Sequence, residues 1–91
     1  MSLKREEKLA TILLGLGQRL REFRLSKNMK QREFALICGV QPNYLSEIET
    51  GKRGLTDAVL YNLLAAFSDF DANYIIIGRK KELETTPTEG G

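Results

Sequence analysis

The chain lacks histidine entirely, and its 91 residues include one cysteine and two prolines. Without histidine, the commonest general base and the commonest zinc ligand are both missing, which argues against hydrolytic triads and His/Cys metal sites. The single Cys38 cannot form an internal disulfide, which indicates a reducing cytosol. No apolar run approaches the roughly 20 residues that span a bilayer, so we expect a cytoplasmic protein without a membrane segment. We also expect no metal, cofactor or small-molecule ligand.

The residues that are present describe one small helical domain. Hydrophobic residues make up 42% of the chain and charged residues 29%, which is typical of globular proteins. The scarcity of proline and aromatic residues favours helix. Charge is uneven: residues 1–30 carry a balance of +5, residues 31–56 are neutral and residues 57–91 carry −3. The basic N-terminal part is either suited to a polyanion or an ordinary solvated helix surface.

Apolar spacing and end signals predict five helices. Leucines recur at intervals of three and four from Leu9 to Leu20, so the first helix should run from about Lys4 to Ser26, either unbroken or divided near Gly15. The others are expected over 31–38, 42–50, 57–67 and 72–77, with glycines at several ends and Thr56 and Asp71 as N-caps. The expected core comprises Phe34, Leu45, Ile48, Leu60, Leu63, Leu64, Phe67, Ile75 and Ile76.

The second and third helices have the spacing of a helix-turn-helix. Each has about two turns, and the connection Gly39-Val40-Gln41 between them has the length of the motif's elbow. Leu45 and Ile48 should hold the third helix down, leaving its opposite face exposed. A helix presented in this way fits the major groove of duplex DNA, where base edges are read through hydrogen bonds.

Four segments together resemble the Cro/CI-type (XRE, lambda-repressor-like) helix-turn-helix family. They are LREFR at 20–24, QREFA at 31–35 with Gly39-Val40, LSEIE at 45–49 with Gly51-Lys52, and NYIIIG at 73–78. The resemblance covers residues 16–78 and implies a compact, all-α, five-helix lambda-repressor-like domain. Residues 1–15 would then form an N-terminal helical extension, and residues 79–91 a disordered tail.

The resemblance also implies which residues contact DNA. Base contacts fall on Gln41, Pro42, Asn43 and Glu47, and phosphate contacts on Lys30, Gln31, Arg32, Tyr44, Lys52 and Arg53. An amide at Asn43 can pair with adenine, whereas Glu47 can accept from cytosine N4 and Pro42 offers only apolar contact. Tyr44 either hydrogen-bonds to the DNA backbone or is a half-buried aromatic residue on the protein surface. Arg53 alternatively reaches into the minor groove.

Two further roles follow from the same resemblance. Arg24 and Glu49 match an ion pair that fixes the angle of the third helix in this family. The two-fold operators of the family imply a homodimer, with Leu55, Tyr74 and Ile77 as candidate interface residues. An apolar N-terminal stripe either joins that interface or packs on its own domain; it consists of Leu9, Ile12, Leu13 and Leu16.

The sequence therefore predicts a sequence-specific DNA-binding transcriptional regulator of the repressor type, which binds double-stranded DNA as a homodimer. No catalytic residue is assigned, because no nucleophile–base pair or phosphate loop is evident, and we do not expect an enzyme. The alternative is a protein-interaction module of the same fold, such as an antitoxin component or scaffold. The modest net charge of +2 and the combination of Pro42 with Glu47 favour that alternative.

Overall fold

The computed structural model describes residues 4–79, and all regular structure in that range is helical. The helices are α1 (Arg5–Ser26), α2 (Gln31–Cys38), α3 (Pro42–Glu49), α4 (Asp57–Ala66) and α5 (Ala72–Ile77). The expected all-α, five-helix fold is confirmed, and every helix end lies within one residue of its predicted position. Apart from Arg79, the predicted tail lies outside the described residues, as do residues 1–3.

Helix α1 is continuous through both of its glycines. A Cβ atom at Gly17 would lie 2.3 Å from the carbonyl oxygen of Ile48 and 2.7 Å from that of Glu49. The glycine therefore permits the end of α3 to pack directly on the backbone of α1. Because α1 passes without a break from residue 15 to residue 16, the extension and the domain share one helix, and their division at this point stays a prediction.

Side chains and glycines define the ends of the shorter helices. Thr56 Oγ1 accepts from the amide of Val59 at 3.3 Å, and Asp71 Oδ1 accepts from the amide of Tyr74 at 3.0 Å. These bonds satisfy amides that have no partner within the helix. Gly39, which directly follows α2, lies in the left-handed region with φ 77° and caps the helix. The side-chain amide of Asn62 donates to the carbonyl of Cys38 at 3.0 Å and ties this turn to α4.

The core lies where α1, α2, α3, α4 and α5 meet. Its fully buried side chains include Leu20, Phe34, Leu45, Ile48 and Leu63, each at 0% exposure. Aromatic rings extend it, with Phe23 in edge-to-face contact with Phe67 and Phe70.

The prediction that Leu64 and Ile76 belong to the core is wrong. Leu64 is 51% exposed and Ile76 is 36% exposed. Each follows a buried residue directly, and one position along a helix rotates the side chain by about 100°, away from the packed face. The apolar composition of both helices concealed which face was buried. Phe70, which was not expected in the core, is 5% exposed.

The two glycines of α1 should respond oppositely to alanine. We expect Gly17→Ala to lower the free energy of unfolding by about 1–3 kcal/mol, because the new methyl group would overlap backbone carbonyls of α3. At Gly15 the three nearest atoms to a Cβ all belong to the Arg19 side chain, the closest at 3.1 Å, and none is a backbone atom. Gly15→Ala should therefore stabilise the protein by up to about 1 kcal/mol through helix propensity. Urea denaturation measures both; equal effects would contradict the close contact at Gly17.

Candidate nucleic-acid interface

Helix α3 presents one face to the core and the opposite face to solvent. Leu45 and Ile48 anchor it with no exposed surface. On the other side Gln41, Pro42 and Asn43 are exposed, while Tyr44 and Glu47 are half-buried. Proline occupies the first turn, where its missing N–H has no intrahelical partner. The four residues predicted to read bases (Gln41, Pro42, Asn43 and Glu47) thus lie along the N-terminal end and outer face of α3.

A buried ion pair holds the opposite end of α3 against α1. Arg24 Nε lies 2.8 Å from Glu49 Oε2, and Arg24 Nη2 donates to Glu49 Oε1 at 3.1 Å. Their side chains are 8% and 2% exposed. Arg24 Nη1 also donates to the carbonyl of Met29 at 2.8 Å, in the turn that leads into α2. The structure therefore contains the pair that the resemblance implied, with Arg24 linking three elements.

Gln31 joins this pair from the first turn of α2. Its side-chain amide donates to Glu49 Oε1 at 2.9 Å, and the residue is half-buried. Sequence reasoning placed Gln31 at a phosphate and did not find this bond, because no spacing rule relates residues 31 and 49. The amide nitrogen carries two hydrogens, and the bond to Glu49 uses one of them.

The residues beside Gln31 have a different environment. Lys30 and Arg32 are both exposed. The Lys30 side chain makes no cap hydrogen bond, as expected for a cation, but its backbone amide donates to Glu33 Oε1 at 2.9 Å. Glu33 therefore places a carboxylate near the positive end of the α2 dipole. This contact, which sequence reasoning missed, offsets the unfavourable position of Lys30.

On the outer face of α3, Glu47 forms an ion pair with Arg53. Arg53 Nε and Nη2 each lie 2.8 Å from Glu47 Oε1, and the guanidinium carbon lies 4.1 Å from the centre of the Tyr44 ring. Hydrogen bonding to Glu47, and secondarily to Tyr44, raises the pKa of Arg53 above its ordinary value. Three residues that were assigned separate DNA contacts therefore form one cluster. Lys52, next to them, is exposed.

The candidate dimer residues differ in their exposure. Leu55 and Tyr74 are half-buried and pack against the core of their own domain, whereas Ile77 is 53% exposed. Ile77 ends α5, which is attached to α1 through Arg19: its Nε donates to the carbonyl of Ile75 at 2.9 Å and its Nη2 to that of Ile76 at 3.2 Å. These bonds satisfy carbonyls at the end of α5 with a cation.

The N-terminal stripe is also divided. Leu16 is buried at 5% exposure and Leu13 is half-buried, but Leu9 and Ile12 are each 54% exposed. The apolar face of α1 that packs on the core at Leu16 therefore continues toward the N-terminus. There, at Ile12 and Leu9, no described residue of the same chain buries it. Only its inner part is explained by packing within one protomer.

Other kinds of site find little support among residues 4–79. That range holds no group of three or more His, Cys, Asp or Glu residues arranged for a metal ion. None of its helices is sufficiently long and apolar to cross a bilayer. Burial, and secondarily the charge of Glu49, raises the pKa of the Cys38 thiol from 9.0 to about 12. The thiol is therefore protonated at neutral pH and unsuited to redox sensing.

Comparisons with known proteins agree with the helix-turn-helix geometry. A family model described as helix-turn-helix matches residues 20–68, which is more than half of the chain. The chain is 44% identical over 46 residues to the control protein C.BamHI of Bacillus amyloliquefaciens. That alignment covers 50% of this chain and 57% of the relative's length. No solved structure matches the chain.

The buried Arg24–Glu49 pair should dominate the electrostatic contribution to stability. Arg24→Met would leave a carboxylate buried with only the Gln31 amide as its partner, and we expect a loss of about 3–5 kcal/mol in the free energy of unfolding. The matched control is Asp69→Asn, which removes the partner of Lys27 in a largely exposed pair. That variant should unfold almost as the wild type does in urea. A similar decrease in the free energy of unfolding of both variants would show that the buried pair contributes no more to stability than the exposed pair.

Proposed function

Because the chain belongs to the helix-turn-helix family, we propose that it is a DNA-binding transcriptional regulator of the repressor type that reads the major groove of double-stranded DNA with α3. The observation that carries the proposal is the exposed N-terminal end of α3, with Pro42 and Asn43 at its tip. Four exposed cations flank the two helices of the motif: Lys30 and Arg32 at the start of α2, and Lys52 and Arg53 after the end of α3. Phosphate contacts from such cations set the position of a protein on the duplex, and side chains on the exposed helix read the bases.

Each residue has a proposed role in this arrangement. Asn43 is the best suited to direct readout, because its amide can donate and accept in a bidentate pair with adenine. Gln31 contributes to phosphate binding from the first turn of α2, where amide groups and the helix dipole favour an anion. Arg24 and Glu49 act indirectly, by holding α3 at a fixed angle. Lys52 is proposed to contact the phosphate backbone and no base.

Selective binding by so small a domain is best explained by a homodimer. A two-fold pair of chains would place two α3 helices in half-sites about one helical turn apart. Ile77 is the most exposed of the three candidate interface residues. Leu55 and Tyr74 would contribute their remaining surface, and the uncovered side chains Leu9 and Ile12 would extend the contact along α1.

Duplex binding tests the proposed function directly, with the operator taken from a selection on random sequences. We expect Asn43→Ala to weaken binding to the selected duplex by about 1–3 kcal/mol and to change binding to random DNA little. Lys52→Ala, the matched control, should weaken both alike. If about five phosphates are contacted per dimer, log K should fall against log salt with a slope of about −4 to −5. Absence of duplex binding at low salt would favour the protein-interaction module.

The homodimer is tested by sedimentation of the free protein and of its complex with the selected duplex. We expect two chains per duplex, and we expect Ile77→Glu to weaken self-association at least tenfold because it places a charge in an apolar contact. Leu64→Glu is the matched control, since Leu64 is exposed to a similar extent on α4. A wild type that is monomeric both free and on the duplex would contradict the homodimer.

A further inference from the structure

The Glu47–Arg53–Tyr44 cluster has a geometry that the separate DNA contacts assigned to its members do not explain. Glu47 lies one turn after Asn43 on the outer face of α3, where an unpaired carboxylate would repel phosphates. Both contacts from Arg53, at 2.8 Å, go to the same oxygen, Oε1. The guanidinium carbon of Arg53 lies over the Tyr44 ring, 4.1 Å from its centre. The arginine thus neutralises the carboxylate and is held between two side chains of α3.

The backbone of Arg53 is held to the same helix. The amides of Lys52 and Arg53 both donate to the carbonyl of Glu47, at 2.8 and 3.3 Å, and the amide of Gly51 donates to the carbonyl of Ile48 at 3.1 Å. The loop after α3 is therefore fixed to its last turn. A long side chain that is already ordered in the free protein loses less conformational freedom when it binds.

The bonds to Glu47 engage one edge of the guanidinium, Tyr44 accepts from one further N–H group, and the remaining N–H groups are left for another ligand. Arginine has five N–H donors in a rigid fork, and the contacts to Oε1 engage the Nε and Nη2 side. The Nη1 side and the second hydrogen of Nη2 form the edge that pairs with two acceptors in one plane. In the major groove guanine presents such acceptors, N7 and O6, and a bidentate arginine is their commonest specific partner.

We propose that Arg53 is a specificity-determining residue that reads a guanine, and that Glu47 is a positioning residue that orients Arg53 with the help of Tyr44. This inference rests on the proposed function. It changes the role of Glu47 from reading cytosine to orienting its neighbour, and the role of Arg53 from phosphate contact to base contact.

The test uses full-length protein and a duplex selected from a random pool, in which each guanine is replaced in turn by 7-deazaguanine. This analogue lacks the N7 acceptor but pairs normally with cytosine. One replacement per half-site should weaken wild-type binding about 10- to 100-fold and leave the binding of Arg53→Ala unchanged, because that variant has already lost the contact. Lys52→Ala, the matched control, should stay as sensitive to the replacement as the wild type.

The role of Glu47 is tested by Glu47→Gln alone and combined with Arg53→Ala. As a positioning residue, Glu47→Gln should reduce the penalty for 7-deazaguanine several-fold in the otherwise wild-type protein and have no effect on it in the Arg53→Ala background. If Glu47 reads cytosine itself, its substitution will change the preference at one base pair equally in both backgrounds. That result would overturn the proposal. Unchanged thermal unfolding of the variants excludes a loss of folding as the cause.

The outcomes separate this proposal from the proposed function. If the wild type binds no duplex at low salt, the proposed function fails and the reading of guanine fails with it. If the wild type binds selectively but Arg53→Ala weakens selected and random duplexes alike, Arg53 is a phosphate contact. If no replacement of guanine depends on Arg53, it reads no guanine. In the last two cases only the present proposal is overturned.

Discussion

The buried carboxylate of Glu49 lies where three parts of the chain converge. Arg24 reaches it from α1, Gln31 reaches it from α2, and Glu49 itself ends α3. A carboxylate that is 2% exposed is unfavourable unless charged or polar donors surround it. The arrangement that satisfies it also links the first turn of α2 to the last residue of α3. The hydrogen bonds that satisfy this one buried charge therefore tie the end of the proposed reading helix to both α1 and α2.

The contact at Gly17 strengthens the same constraint by a different route. Here the backbone of α1 meets the carbonyl groups at the end of α3 without an intervening side chain. Close backbone packing and a buried ion pair hold the C-terminal end of α3, while its N-terminal end projects. The exposed end can then be varied in sequence with little effect on the core. In this chain it carries Pro42 and Asn43.

Much of this architecture was predictable because its signals are local. Caps at Thr56 and Asp71 and the glycine at 39 identify helix ends through bonds that span a few residues. The Arg24–Glu49 ion pair was expected from the resemblance to the helix-turn-helix family. The buried face of α4 could not be predicted from the sequence. Apolar residues occur on most sides of this helix, so their spacing does not distinguish a buried face from an exposed one. The close contact at Gly17 could not be predicted from local sequence, since the atoms that Gly17 contacts are about thirty residues away.

The site was less predictable than the fold for the same physical reason. Residue types suggest the chemistry of single side chains, but the partners of Gln31 and Glu47 depend on how separate elements meet. Glu47 and Arg53 are joined across a loop, where no helical spacing brings charges together. A role assigned to an isolated side chain therefore changes when a neighbour occupies its hydrogen-bonding atoms.

The central claim, that the exposed end and outer face of α3 enter the groove of duplex DNA, is tested most directly by nuclear magnetic resonance. The measurement follows the amide signals of isotopically labelled protein while the selected duplex is added. The account predicts the largest shifts at Gln41, at residues 43–47 and at Lys52 and Arg53, with little change at Tyr61 and Leu64 on the exposed side of α4. Shifts concentrated on α4, with the signals of α3 unchanged, would contradict it.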